Sequence, residues 1–177
     1  MRYRVLGPLE VTGLANGSAL SEPKERRLLA VLLASRGQVV SMDALIDGIW
    51  GERPPRSAVK AVHGYVLKLR RAVAEGSADG PIRTVAPGYV LDVQGEDLDA
   101  TEYLTLVERG QRALALGDYA SAIVLLDEAA GLWRGEPYAE FAGADFADRE
   151  IARLEQARAS AAVARVDAAL GVGESSA

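Results

Sequence analysis

The sequence predicts an α+β winged helix-turn-helix domain over residues 1–97, followed by an all-α, tetratricopeptide-like domain over residues 98–177. Three helical patterns precede two short strand patterns in the first half, whereas only helical patterns occur after residue 98. The charge changes at the same place. Residues 1–97 carry 13 basic and 11 acidic side chains, and residues 98–177 carry 7 and 14.

The first 50 residues contain two strand patterns and two helix patterns. Gly7-Pro8 separates the strands, Arg36-Gly37 ends the first helix, and Ser41 is expected to cap the second. The predicted elements are the strands Arg2–Leu6 and Leu9–Thr12, the helix Pro23–Ser35, the extended pair Val39-Val40 and the helix Met42–Trp50.

The third helix, predicted over about Arg56–Ala74, has an apolar face and a basic face. Spacings of three and four residues place its apolar side chains on one buried face; they are Val59, Val62, Val66, Leu69 and Val73. The opposite face presents Lys60, His63, Gly64, Leu67, Lys68 and Arg71, with Arg56 and Ser57 at the N-terminus. A hairpin of Ile82–Val85 and Tyr89–Val93, turning at Ala86-Pro87-Gly88, is predicted to follow.

A block of positive charge lies on this helix and just before it. Between Arg53 and Arg71 there are six basic side chains and no acidic one, in a chain of net charge −5. Such a block indicates binding to a polyanion through one face. In a winged helix the third helix enters the major groove, so duplex DNA is the predicted partner.

Each basic residue of this helix has a predicted role. Lys60, His63 and Lys68 are expected at base edges or in the groove, and Arg70 and Arg71 at phosphates. Two alternatives stay open: His63 is a plain polar surface residue, and Arg70 braces the second helix through Asp43 or Asp47.

Residues 98–177 contain helical patterns throughout. The predicted helices are Ala100–Leu116, Tyr119–Trp133 and, after a loop, about Phe146–Leu170. The first two are expected to pair antiparallel because only Gly117-Asp118 joins them. About one and a half tetratricopeptide-like units are present, too few for a self-sufficient array. Apolar surface around Ala161–Leu170 is therefore expected to be exposed and to support self-association.

Composition excludes several classes of function. With no cysteine and the single histidine His63, the chain lacks the ligands for cysteine-bound or multi-histidine metal sites and lacks a thiol nucleophile. No apolar run approaches the roughly 18 residues of a membrane span, and no signal-peptide core follows Met1. Gly7, Gly13 and Gly17 lack the context of a phosphate-binding loop. We expect a cytoplasmic protein that is not an enzyme and needs no cofactor.

Several segments together resemble a known family of transcription activators. In the first half they are Arg4–Val11, Lys24–Leu33, Leu45-Ile46 with Trp50-Gly51 before Pro54-Pro55, Tyr65-Val66 with Leu69-Arg70-Arg71, and Gly88–Leu91. In the second half they are Tyr103, Gly117-Asp118, Ala122, Leu132–Gly135 and Leu154-Glu155. The chain resembles the Streptomyces antibiotic regulatory protein family, which joins an OmpR-type winged helix to a bacterial transcriptional activation domain.

The resemblance implies a function that composition does not show. Members of the family bind direct repeats in promoters, usually as a side-by-side pair, and recruit RNA polymerase to secondary-metabolite genes. The family's wing often carries basic residues where this sequence has Ala86 and Val90, which leaves Arg83 as the nearest basic residue for a wing contact. The family's activation domain continues with further helices, so the one in this chain is expected to be partial.

A second class of function is also considered. In this alternative the acidic helical half is the working part, and the protein is a non-enzymatic interaction module that binds DNA weakly. RNA binding is a third alternative, but the sequence lacks the exposed aromatic platform that it would usually need.

Overall fold

The computed structural model describes residues 2–14, 20–73 and 80–175, with strands and helices up to Leu91 and only helices after it. The strands are β1 (Arg2–Arg4), β2 (Glu10–Thr12), β3 (Val40–Ser41), β4 (Ile82–Val85) and β5 (Gly88–Leu91). The α-helices are α1 (Pro23–Ala34), α2 (Met42–Trp50), α3 (Ala58–Val73), α4 (Asp99–Ala115), α5 (Tyr119–Gly131) and α6 (Asp145–Ser175). Single 3-10 turns lie at Gly95–Asp97 and Ala139–Phe141.

The first half is a winged helix-turn-helix, as the sequence predicts. Helices α1, α2 and α3 pack together around Leu28, Leu32, Leu45 and Leu69, all of which are almost fully buried. A three-stranded antiparallel sheet of order β3-β5-β4 closes one side. A separate antiparallel ribbon joins β1 to β2, and its Tyr3 also bridges to Leu98 at the start of the helical half.

Several predicted boundaries differ from the observed ones. The second strand of the hairpin ends at Leu91 rather than Val93, and the second helix of the helical half ends at Gly131 rather than Trp133. The first strand ends at Arg4 rather than Leu6, because the Val5 and Leu6 backbone N–H groups donate to a side chain from the helical half. The last helix begins at Asp145 and continues to Ser175, well past Leu170. The predicted turn-rich loop over residues 13–18 and the loop between the third helix and the hairpin lie largely outside the described residues.

The periodicity of α3 is confirmed except at its first apolar residue. Val62, Val66, Leu69 and Val73 are buried, but Val59 is 50% exposed. Ala58, where the helix begins, takes the buried place in the first turn. The prediction that Val59 faces the core is therefore wrong.

The second half consists of an antiparallel helix pair and one long helix packed across both. The Asp118 carboxylate caps α5 by accepting the Ser121 N–H at 3.1 Å, directly after the tight turn at Gly117. Small side chains let α6 approach its neighbours closely, and Ala161, Ala164 and Ala168 are buried there. This agrees with the predicted tetratricopeptide-like packing.

A buried carboxylate from α4 holds the N-terminal ribbon. Asp99 is 1% exposed and accepts the Val5 N–H at 2.8 Å and the Leu6 N–H at 3.1 Å. The Arg134 guanidinium lies 3.7 Å from the same carboxylate, and the Arg134 backbone N–H donates to the Leu6 carbonyl at 2.7 Å. Burial raises the pKa of the Asp99 carboxyl, while the Val5 and Leu6 hydrogen bonds act to lower it.

Two further carboxylates of the helical half meet arginines from the first half. Glu140 pairs with Arg26 of α1 through two hydrogen bonds, of 2.5 and 3.0 Å, and also accepts the Leu9 N–H at 3.0 Å. Glu150, which is buried, lies 3.6 Å from Arg36 and binds Arg153 on its own helix. We call the contact built around Asp99, Glu140 and Glu150 the inter-half seam.

One hydrophobic core is continuous across the inter-half seam. It runs from Leu6 and Leu33 on the first side to Tyr103 and Leu154 on the second. The division into domains at residue 97 therefore stays a prediction.

The outer side of α6 exposes apolar side chains, as the sequence predicts for this region. Val163, Val166 and Leu170 are each more than half exposed and lie within two turns of one another. We call them the α6 apolar face.

Candidate nucleic-acid interface

The face of α3 that points away from the core is a line of exposed residues. We call it the α3 crest; it consists of Arg56, Lys60, Gly64, Leu67 and Arg71. Spacings of four, four, three and four residues align them along one side of the helix, with Arg56 in the turn just before it. Because the opposite side packs on α1 and α2, the crest faces outward.

The cations of the α3 crest have no anionic partner within the described part of the chain. Arg56, Lys60 and Arg71 form no ion pair there, although most other arginines of this acidic protein do. Ser57 lies beside Arg56 and is exposed, and its carbonyl accepts the Ala61 N–H at 2.9 Å. These unpaired charges are available to phosphate groups.

Lys68 is engaged by an acid from another helix. Its Nζ donates to Glu25 of α1 at 2.6 Å, and Glu25 is 7% exposed. This hydrogen bond, together with the charge of Glu25, raises the pKa of Lys68 above its ordinary value. Lys68 thus links α3 to α1 and lies to the side of the crest.

Arg70 braces the hairpin. Its Nε donates to the Ile82 carbonyl at 2.9 Å, its Nη2 donates to Thr84 at 2.7 Å, and its guanidinium lies over the Tyr89 ring. The alternative that Arg70 braces the second helix through Asp43 or Asp47 is wrong, because its guanidinium is bonded to Ile82 and Thr84 of the hairpin instead.

His63 also contacts the hairpin. Its Nδ1 lies 2.9 Å from the Tyr89 hydroxyl, and the two rings meet edge to face. His63 stays exposed on the side of α3 that faces the wing. Together His63 and Arg70 fix the orientation of the wing relative to the α3 crest.

The wing is a short hairpin with few charges. β4 and β5 pair from Ile82 opposite Leu91 to Val85 opposite Gly88, so that Ala86-Pro87 forms the tip. Gly88 is required here, since a Cβ would lie 1.9 Å from the Val40 carbonyl oxygen of β3. Arg83 is exposed and forms an ion pair with Asp92, whose carboxylate lies 3.5 Å away.

The eight predicted contact residues therefore divide into two groups. Arg56, Ser57, Lys60 and Arg71 lie on or beside the α3 crest without an ion pair among the described residues. The other four are tied to groups of the protein itself: His63, Lys68, Arg70 and Arg83. The predicted set omits Arg53, an exposed cation between α2 and α3, although its place in the charge block was a usable signal.

Other kinds of site find no support in the part of the chain that is described. No group of three or more metal-ligating side chains comes together there. None of the helices in these residues has the length and hydropathy needed to cross a membrane.

Comparison with known proteins identifies the family. Residues 18–91 match the model of the C-terminal domain of transcriptional regulatory proteins, and residues 98–177 match the bacterial transcriptional activator domain. Regulatory protein DnrI of Streptomyces peucetius is 32% identical over 182 residues, covering 98% of this chain and 66% of that protein. The chain belongs to the Streptomyces antibiotic regulatory protein family.

Other similar proteins place the chain in the same family of transcriptional regulators. Transcriptional regulatory protein MoaR1 of Mycobacterium tuberculosis is 41% identical over 140 residues, covering 76% of this chain and 44% of MoaR1. The solved structure of Mycobacterium tuberculosis EmbR in complex with a low-affinity phosphopeptide has a TM-score of 0.87 and 28% identity, covering 99% of this chain and 47% of EmbR. The chain therefore spans about half to two thirds of the length of these relatives.

Proposed function

We propose that this chain is a sequence-specific DNA-binding transcription activator in which α3 enters the major groove. The observation that carries this proposal is the α3 crest, where Arg56, Lys60 and Arg71 face outward without ion pairs among the described residues. The wing, held by His63 and Arg70, lies beside the crest and reaches the DNA backbone or the minor groove through Arg83. The family supports the same activity.

The finer parts of the proposal follow from the family. The chain binds direct repeats in promoters as a side-by-side pair and recruits RNA polymerase through its helical half. Its target genes belong to a secondary-metabolite cluster, such as one for an antibiotic. It acts in the bacterial cytoplasm, at the nucleoid, without catalysis and without a cofactor.

A salt titration of DNA binding tests the central claim. Duplexes from the region upstream of the chain's own gene and its neighbours are titrated with the wild type and with the double variant Lys60→Ala/Arg71→Ala. If each residue neutralises one phosphate, the slope of log K against log salt concentration falls in magnitude by about two. Affinity at moderate salt is expected to fall at least tenfold.

A charge-matched control separates the crest from the overall charge of the chain. Arg109→Ala/Arg112→Ala removes two positive charges from the exposed side of α4 and is expected to leave binding within twofold of the wild type. Equal losses in the two double variants, or wild-type binding that does not weaken with salt, would contradict the proposal.

A second candidate function rests on the α6 apolar face. Val163, Val166 and Leu170 suit a protein partner better than a polyanion. In this alternative the helical half binds a partner or a second copy of the chain, and DNA binding is weak. Upstream duplexes bound no more tightly than random ones, together with light scattering that shows a concentration-dependent dimer, would favour this alternative.

A further inference from the structure

Leu67 is a large apolar side chain in the middle of the α3 crest. It is 50% exposed, with Lys60 on one side along the helix and Arg71 one turn beyond on the other. In water this arrangement leaves half of the Leu67 surface exposed to solvent. If the cations on both sides contact phosphates, Leu67 would lie over the floor of the groove between them.

The space beside Leu67 allows a base edge to approach. Gly64, three residues earlier on the crest, has no side chain, and a Cβ built there meets no atom within 4 Å. The crest is therefore lower at Gly64 than at Lys60 or Arg71. A base pair brought to this point meets the leucine methyl groups and not a charged head group.

The major groove offers one apolar group, the C5 methyl of thymine. The other groups at base edges are hydrogen-bond donors and acceptors, which would be desolvated without a partner against leucine. We propose that Leu67 is a specificity-determining residue that packs on a thymine methyl in the bound DNA. This inference rests on the proposed function, because it requires α3 to lie in the major groove.

Val59 is the natural comparison on the same helix. It is as exposed as Leu67, but it lies eight residues earlier, about 80° around the helix and about 12 Å along it. That position is off the crest, on the side of His63. Removing the apolar side chain at Val59 thus controls for the loss of exposed apolar surface on α3.

The test removes one methyl group from the DNA and one side chain from the protein. The wild type first selects a preferred duplex from a random pool. Each thymine of that duplex is then replaced in turn by deoxyuracil, which lacks only the C5 methyl, and dissociation constants are measured. At one thymine the replacement is expected to weaken binding about fourfold, the effect of one buried methyl group.

The same measurement on two variants locates the contact. In Leu67→Ala the difference between thymine and deoxyuracil at that position is expected to disappear, whereas in Val59→Ala it stays about fourfold. Leu67→Gln is expected to change the preferred base there to adenine, which pairs with a glutamine amide in the major groove.

The possible failures can be distinguished. A wild type that binds no duplex above the non-specific level would overturn both the proposed function and this inference. Sequence-specific binding without a methyl effect at any thymine, or a methyl effect that survives in Leu67→Ala, would overturn the inference alone.

Discussion

The inter-half seam and the α3 crest are both rich in charged side chains. Among the described residues, those of the seam have partners and the cations of the crest do not. At the seam, Arg26 meets Glu140, Arg36 meets Glu150, and Asp99 accepts two backbone N–H groups. On the crest, Lys60 and Arg71 have no such partner in the described residues. The same residue types therefore hold the fold together in one place and stay available in the other.

This difference shows why a count of basic residues is a weak guide to a binding surface. Lys68 and Arg70 belong to the same uninterrupted run of positive charge as Lys60 and Arg71. Yet Lys68 is paired with Glu25, and Arg70 bonds to the hairpin. The absence of an acid nearby in sequence does not mean that none is near in space, and only the unpaired cations mark the face that is open to a polyanion.

Removal of the Asp99 carboxylate is expected to have the greatest effect on stability, because it is the anchor of the inter-half seam. Asp99→Ala leaves the Val5 and Leu6 N–H groups without an acceptor and takes a partner from Arg134. The free energy of unfolding is expected to fall by about 3 kcal/mol or more, measured by urea denaturation. Asp127→Ala, which breaks the exposed pair with Arg165, serves as the control and is expected to cost far less. Equal losses of unfolding free energy in the two variants would show that burial of the Asp99 carboxylate adds nothing to stability.

A smaller effect tests the buried state of the Asp99 carboxyl itself. Its pKa in the folded protein is raised above the ordinary 3.8, mainly because burial disfavours the charged form. Its contribution to stability is therefore complete below that value and is lost as the pH rises through the folded pKa. Asp99→Asn does not titrate, so the difference in unfolding free energy between wild type and variant is expected to be larger at pH 4 than at pH 7. A difference that is smaller at pH 4 than at pH 7 would mean that folding lowers the pKa of the Asp99 carboxyl, which would contradict this prediction.

Removal of the crest cations is expected to change the stability of the fold very little. Because Lys60 and Arg71 have no ion pair in the described residues, the double variant Lys60→Ala/Arg71→Ala is expected to change the free energy of unfolding by less than about 0.5 kcal/mol. Thermal unfolding without DNA measures this. A loss like that of Asp99→Ala would mean that these side chains hold the fold together and are not reserved for a ligand.

Features set by neighbours in the sequence were predictable. Ser41 caps α2, with its hydroxyl accepting the Ala44 N–H at 3.2 Å, and Gly117-Asp118 turns the chain between α4 and α5. The buried face of α3 follows from its periodicity. Val59 was mispredicted because periodicity alone does not say where a helix begins, and the first turn of α3 buries Ala58 instead.

Features set by distant residues were not predictable. The pairing of Lys68 with Glu25 joins residues 43 positions apart, and the hydrogen bond from Val5 to Asp99 spans 94. No local pattern encodes such a contact. For the same reason the sequence identified the basic helix but could not show which of its cations are bonded to other groups of the protein. The seam itself left no signal in the sequence.

The anchoring of β1 has a consequence for the order in which the chain folds during synthesis. Val5 and Leu6 bond to Asp99, to Arg134 and, through the Val5 carbonyl, to the Tyr138 N–H. A ribosome adds about 5–20 residues per second, so the first strand waits on the order of ten seconds for its last partners to be made. During this interval the residues of α1, α2 and α3 have all been made, whereas Val5 and Leu6 still lack their partners in the helical half. The N-terminal residues, although made first, are among the last to reach their final place.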